Sequence, residues 1–486
     1  MRETKYLGVW WLPSNPEEKL EGTLSISNEE GINLKVAGVF TNTMYSAPIP
    51  IILGKIVNVK PEVTLCDCQR STYAEGFLPW RQRWTPSKVL FGYHFNSPEE
   101  ILFQKARLKY THLTDFTGLG GFDLEESTNE KGHCVYKATY TPGKEAKAKV
   151  GKAELSIDYT PDPEIGFINI DPTQLHLSET INESVFRFIE LHQNIAINIE
   201  TEERIPFDEW LSKFIYPIQN LLTFATATPN QLTEFIFRDP MRSVEVLFKS
   251  VQNEASINRR ADQRFQGDML FTLSEIDDFS KTIERWLRIS TELEIVYGLF
   301  FDAYYNSNMN EHHKFFNLMQ VLESYHRERF FDKRQAFSSG DYDILKNILT
   351  KAISDNNDKY GEWLERKLKN GNEVSLRRRL KDLMMDDYTK EIISPLIGKK
   401  DSFIASVIDT RNYLTHRDTN LQSKILKNKE LVKATEVLFY LLQIWFLKEL
   451  GFPPEKTVKL FKNYRPYYWR LSELEFEQDL KRGPSI

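Results

Sequence analysis

The feature that most constrains this chain is a change in the period of its hydrophobic residues a little past residue 200. Before that point, short β-branched and aromatic runs alternate with turn signals, as in "GTLSISNEEGINLKVAGVF", "IPIILGKIVNVKPEVTLCDC", "KVLFGYHF" and "AKAKVGKAELSIDY". A period near two places alternate side chains on opposite faces of a strand, so this half reads as sheet. "SNEEG" (27–31) joins two such runs in a hairpin-like connection, with Gly31 available for a positive φ. In "VFRFIELHQNIAINIE" (185–200), Ile195, Ile197 and Ile199 share one face.

From "PFDEWLSKFIYPIQNLLTFATATP" (206–229) the period lengthens: Trp210, Phe214, Ile218, Leu221 and Leu222 recur at helical spacing, and the helix is expected to stop near Thr228 and Pro229. An ambiguous stretch with Arg259, Arg260 and Arg264 follows. From about residue 277 the helical period dominates. "DFSKTIERWLRISTELEIVYGLFFDAYY", "EHHKFFNLMQVLESYHRERF", "DYDILKNILTKAISD", "SLRRRLKDLMM", "DSFIASVIDTRNYLTH" and "ELVKATEVLFYLLQIWFLKEL" are helical, and Gly451, Pro453 and Pro454 close the last. The expected fold is α+β in two parts, a β-rich sandwich or barrel followed by an all-α bundle. The expected boundaries are 1–205 for the β-rich domain, 206–276 for a helical connector and 277–486 for the bundle.

Composition narrows the function classes. A net charge of −6 argues against a general nucleic-acid coat, while leaving room for local basic patches. Three cysteines make no disulfide framework and suggest a reducing compartment. Cys66 and Cys68 would share a strand face, but two soft ligands without a second pair make a poor zinc site. The start "MRETKYLGVWW" has no apolar signal core, and the run "VLFYLLQIWFL" (437–447) is interrupted by Gln443 and too short to span a bilayer. The expected location is cytoplasmic. No Gly-rich phosphate loop, H-E-x-x-H or nucleophile elbow occurs.

One stretch carries chemistry, "DTRNYLTHRD" (409–418). The same Arg-to-His spacing occurs at Arg107–His112 and Arg187–His192, but in sheet-like sequence, where a separation of five puts the two side chains on opposite faces. On a helix at about 100° per residue, Ile404, Val407, Ile408 and Leu414 form a stripe with Arg411 near its centre, where a charge must be paired or used. Asn412 and His416 stack one turn apart on its flank. Arg411 and His416 are about 140° apart, so one straight helix does not present both together. A long arginine side chain or a second copy of the helix would bring them together. A histidine near neutral pKa exchanges a proton with a ribose 2′-OH or a leaving oxygen, and an arginine fork stabilises charge on a phosphorane. The structural alternative is an Arg411 paired with a buried carboxylate and a His416 that is merely exposed.

"RNYLTH" resembles the R-N-x-x-x-H form of the HEPN motif. "GVWWLP", "GTLSI…GINLKVAGVF" and "ILGKIVNVKPEVTLCDC" resemble the N-terminal domain of ApeA-type anti-phage defence proteins, and "PFDEWLSKFIYPIQNLLTFATATP" and "LESYHRERF" fit the same proteins. The resemblance implies a metal-independent HEPN endoribonuclease, without cofactor, that causes abortive infection, with Arg411, Asn412 and His416 as its catalytic set. It implies an RNA substrate (transfer RNA among the candidates), a phage-derived trigger, no membrane, and a homodimer or larger homo-oligomer. The β-rich domain would be the sensor. Glu323 is a candidate supporting carboxylate beside an ordinary solvated reading. "LRRRLK" (376–381) and "KLFKNYRPYYWR" (459–470) combine basic and aromatic groups suited to RNA, or form a solvated face and a core. The competing readings are a catalytically inactive HEPN scaffold and a β-domain ligand binder with a helical dimerisation domain. The latter would use Phe91, Tyr93 and Phe95 on one strand face.

Overall fold

A computed structural model describes residues 3–27, 30–40, 47–57, 60–73, 81–118, 121–128, 134–169, 185–239, 242–248, 265–356, 361–368 and 371–482. Arg259, Arg260 and Arg264 fall outside them. The chain divides into two compact units, Met1–Leu287 and Arg288–Ile486.

The first unit is built on one antiparallel sheet. In chain order its strands are β1 (Thr4–Leu12), β2 (Asn15–Ser27), β3 (Gly31–Ala37), β4 (Ile49–Ile56), β5 (Glu62–Tyr73), β6 (Arg81–Thr85), β7 (Lys88–Phe91) and β8 (Leu102–Tyr110). β9 (Gly121–Thr128) and β10 (Cys134–Thr141) form a separate two-stranded sheet. β11 (Lys147–Val150), β12 (Ala153–Asn169), β13 (Val185–Pro206), β14 (Leu232–Asp239) and β15 (Arg242–Phe248) complete the large sheet. Its order is β11-β12-β13-β8-β14-β15-β7-β5-β4-β1-β2-β3-β6, and β6 also pairs with β5. That last pairing closes β5-β4-β1-β2-β3-β6 into a six-stranded barrel, which leaves those strands without an open edge.

The barrel core holds Trp10, Leu24, Leu34, Ile52, Val63, Leu65 and Trp84. Trp10 lies opposite Gly54 in the β1–β4 register, and a Cβ at Gly54 would stand 2.2 Å from the Trp10 ring. The glycine is there because the indole fills the space a side chain would take. The expected β2–β3 hairpin forms, with Ile26 opposite Ile32 and Gly31 at φ +70°. Ile195, Ile197 and Ile199 are all buried. Cys66 and Cys68 are buried free thiols, and burial pushes Cys66 up to about 12, so it stays protonated.

Residues 206–248, read as the start of a connector, hold α2 (Phe207–Trp210), a π-turn (Leu211–Ile215), α3 (Tyr216–Thr226) and the sheet strands β14 and β15. α3 ends at a left-handed Ala227, φ +52°, close to the expected stop. Short helix α1 (Leu113–Thr117) packs near α3. The strand face proposed for ligand binding is not a surface. Phe91 and Phe95 are buried, and only Tyr93 is exposed.

α4 (Phe279–Glu292) spans the division between the units. The second unit contains α5 (Glu294–Tyr305), α6 (Glu311–Arg329), α7 (Ser339–Asn356), α8 (Gly361–Leu368), α9 (Leu376–Met384), α10 (Asp387–Ile393), α11 (Lys400–His416), α12 (Asn428–Leu450), α13 (Pro454–Asn463) and α14 (Arg465–Arg482). The single helix expected over 278–305 breaks at Leu293, and its two parts are α4 and α5. α12 is the central helix: Val437, Leu438 and every residue from Tyr440 to Leu447 are buried. The buried Gln443 donates from Nε2 to the Tyr304 hydroxyl at 3.0 Å, while its Oε1 has no hydrogen-bond partner among the described residues. α6 packs on α12 through Tyr325, whose hydroxyl donates to Glu449 Oε1 at 2.8 Å. No helix among the described residues is long and apolar enough to cross a membrane.

Gly54→Ala is expected to destabilise the first unit by about 1–3 kcal/mol, the usual cost of overpacking a filled core. A drop in that unit's calorimetric transition checks it. An unchanged transition would mean that the Trp10 ring moves freely.

Candidate functional site

α11 starts after Lys399 and runs unbroken to His416, where Arg417 takes a left-handed conformation (φ +54°) and its N–H closes on Tyr413 O at 2.8 Å. Ile404 and Val407 are buried, as the stripe requires, and Thr410 joins them. Thr410 Oγ1 donates to Ser406 O at 2.7 Å and accepts the Leu426 N–H at 2.9 Å, which folds the segment after α11 back along it. Ile408 and Leu414 are only half-buried. α11 packs against α6 and α9.

Arg411 lies at the edge of this contact, its side chain 27% exposed. Its Nη2 stands 3.7 Å from Glu323 Oε2 on α6, and its Nη1 donates to Asn412 Oδ1 at 3.4 Å. Arg327, one turn beyond Glu323, lies 3.8 Å from the same carboxylate and 3.7 Å from Glu373. Arg411, Glu323 and Arg327, with Phe316, Met319, Gln320 and Ser324, line a pocket of about 430 Å³. Two guanidinium groups thus approach one half-buried carboxylate at a pocket of polar and apolar wall.

His416 is not among the residues lining this pocket. It is the exposed last residue of α11, and its ring has no hydrogen-bond or ion-pair partner among the described residues. The helix places it on a different bearing from Arg411, as the spacing had indicated. Arg411, Asn412 and Glu323 are brought together, and His416 stands apart from them within one chain.

Behind the pocket lies a group that the sequence reading did not isolate. His326, on α6, is fully buried and stacks on Phe330 at 4.6 Å. The buried Arg379 on α9 donates from Nη1 to His326 Nδ1 at 3.3 Å, which leaves Nε2–H to donate to Asp382 Oδ2 at 3.2 Å. Asp382 also takes Arg378 Nε at 3.2 Å. Burial pushes the His326 pKa below its usual 6.5, against the opposing pull of Asp382. The signal for this group was a histidine inside the apolar stripe of α6.

The other sequence candidates divide. In "LRRRLK", Arg377 and Arg378 are exposed, but Arg379 is internal and Lys381 pairs with Asp401 at 2.7 Å. In the last basic segment, Tyr464 and Tyr467 are core residues, with the Tyr467 hydroxyl donating to Ile392 O at 2.8 Å, whereas Tyr468 and Trp469 are exposed. The Arg107–His112 decoy is accounted for structurally. Arg107 lies between Glu234 (3.5 Å) and Asp158 (4.0 Å), and His112 lies beyond β8, pairing with Asp115 at 2.9 Å. Arg187 lies on β13.

Comparison with family models matches residues 5–286 to ApeA N-terminal domain 1 and residues 316–456 to Apea-like HEPN. The chain belongs to the ApeA family. Its two matched segments fall in the two compact units, and the HEPN match contains α11 and the Arg411 pocket. ApeA and HEPN domains together mark a defence-associated family of HEPN nucleases. Neither the curated proteins nor the solved structures searched contain a match to this chain.

The folded His326 ring gives up its proton more readily than the unfolded one, so unfolding takes up a proton and stability falls as pH drops below 6.5. The second unit's melting temperature is therefore expected to decline between pH 7 and pH 5. His326→Gln should flatten that decline. An equal slope in the variant would show that other groups control it.

Proposed function

We propose that this ApeA protein is a metal-independent endoribonuclease whose second unit cuts RNA during phage infection, with abortive infection as the outcome. The observation that carries the reading is Arg411, part-buried, 3.7 Å from Glu323 and lining a pocket. There its guanidinium can meet negative charge that develops in a transition state. In the reaction a base takes the proton of a ribose 2′-OH and O2′ attacks the adjacent phosphorus. The 5′-oxygen then leaves with a proton from an acid. Arg411 neutralises the additional negative charge on the phosphorane oxygens. His416, exposed at the helix end, is the proton carrier, because an imidazole can both accept and donate a proton. Asn412, whose amide oxygen already accepts from Arg411, presents its NH₂ to a phosphate oxygen.

One chain does not hold both groups on one phosphate. Five residues of helix separate them by about 7.5 Å along the axis and about 140° around it. The reading therefore pairs Arg411 of one copy with His416 of another, which makes the active species a homodimer or larger. The β-rich unit is the sensor in this scheme.

Arg411→Ala is expected to lower RNA cleavage by about 10²–10³-fold and His416→Ala by about 10²–10⁴-fold, with metal chelated in both cases. Both variants should also lose protection against phage while keeping the wild-type circular dichroism spectrum. Full protection by either variant would return α11 to a structural role.

A further inference from the structure

Between α6 and α9 the second unit carries a helical hairpin that does not bury its own apolar residues. Its neck is tied by the Ala336 N–H to Asn372 O at 2.8 Å, the Val374 N–H to Arg334 O at 3.2 Å, and the Phe337 N–H to Asn372 Oδ1 at 2.9 Å. Asn372 Nδ2 returns a bond to Phe337 O at 3.1 Å. Beyond the neck α7 and α8 pack on each other, and the Tyr342 hydroxyl donates to Leu368 O. Tyr342, Leu345 and Ile353 are half-buried on one side of α7, and no side chain described between residues 337 and 368 is fully buried.

A different side of α7 holds Ile344, 62% exposed, and Ile348, 60% exposed. With about 100° per residue, Asp341, Ile344, Ile348 and Lys351 fall within an arc of about 80°, roughly 120° round from the half-buried side. Their spacing of three, four and three is the a-d-a-d pattern of a helix that packs on another helix. The order along the helix is acid, apolar, apolar, base.

That order is complementary to itself in one orientation. About a twofold axis through Lys346, an antiparallel copy sets Ile344 against the partner's Ile348 and Asp341 against the partner's Lys351, at both ends of the contact. Lys346 lies on the opposite side of α7, so the axis brings no like charges together. A parallel copy would oppose Asp341 to Asp341 and Lys351 to Lys351, which is unfavourable. Asp341 is also engaged locally: the Ser338 hydroxyl donates to its Oδ2 at 2.7 Å, and its own N–H donates to Ser338 Oγ at 3.2 Å. This capping contact occupies one carboxylate oxygen and leaves the other for a cation.

We infer that α7 is a self-association surface, and that its occupant is α7 of a second copy of this chain in antiparallel register. It uses no residue of the Arg411 pocket and does not depend on the ribonuclease reading.

The test is the mass of the full-length chain by sedimentation equilibrium, from low micromolar concentration upward. Wild type should associate, and Ile344→Asp/Ile348→Asp should halve the assembly mass at an unchanged helical content. Lys351→Glu should weaken association about tenfold, because twofold symmetry counts the new repulsion twice. Adding Asp341→Asn, which keeps a side chain able to cap with Ser338, should recover part of that loss. A single-chain mass for wild type throughout, or an unchanged mass in the double aspartate variant, would overturn the proposal. No recovery on adding Asp341→Asn would overturn it as well.

Discussion

The contact between Arg411 and Glu323 sets the terms for the helical unit. Arg411 sits where α11 turns from its buried stripe toward solvent, and a cation there needs a counter-charge from a neighbouring helix. Because both groups are more than a quarter exposed, the pair is worth little as a stabilising ion pair. Its consequence is to gather the pocket's polar groups: Arg411 and Arg327 both approach the Glu323 carboxylate, and Asn412 Oδ1 takes an Arg411 N–H. Helix packing places these groups: α6 is fixed to α12 by Tyr325 and Glu449, and α9 to α6 by the buried His326, Arg379 and Asp382.

The first unit solves a different problem. A long antiparallel sheet exposes edges, and here the β5–β6 pairing removes them from six of its strands. The core that results depends on close fits such as Trp10 over Gly54, so the unit is specified by shape more than by charge.

Much of this was legible in the sequence. The change of hydrophobic period separated the β-rich from the helical part, and the stripe of α11 placed Ile404 and Val407 in the core, but Arg411, expected near the stripe's centre, lies at its edge. Helical angles alone anticipated that Arg411 and His416 do not share a face. Three things were not legible. Residues 232–248 return to the sheet after a helix, and their pairing partners, β8 and β7, lie more than a hundred residues earlier. The break at Leu293 follows no proline or glycine, so local propensity gave no signal for it. Glu323 stood in the sequence both as a supporting carboxylate and as an ordinary solvated residue, because ion pairs between helices depend on packing, which periodicity does not report. Phe91 and Phe95 looked like a ligand face for the same reason, until neighbouring elements covered them.

The central claim, that the pocket at Arg411 performs attack by a ribose 2′-OH, is tested most directly by the ends of the cut RNA. Purified protein should be incubated with an RNA it cuts, with metal chelated, and the product termini read by mass spectrometry. The account predicts a 2′,3′-cyclic phosphate on one fragment and a 5′-hydroxyl on the other, and no cut where a single 2′-deoxynucleotide replaces the residue before the scissile bond. A 5′-phosphate product, or cleavage that survives the 2′-deoxy substitution, would contradict it.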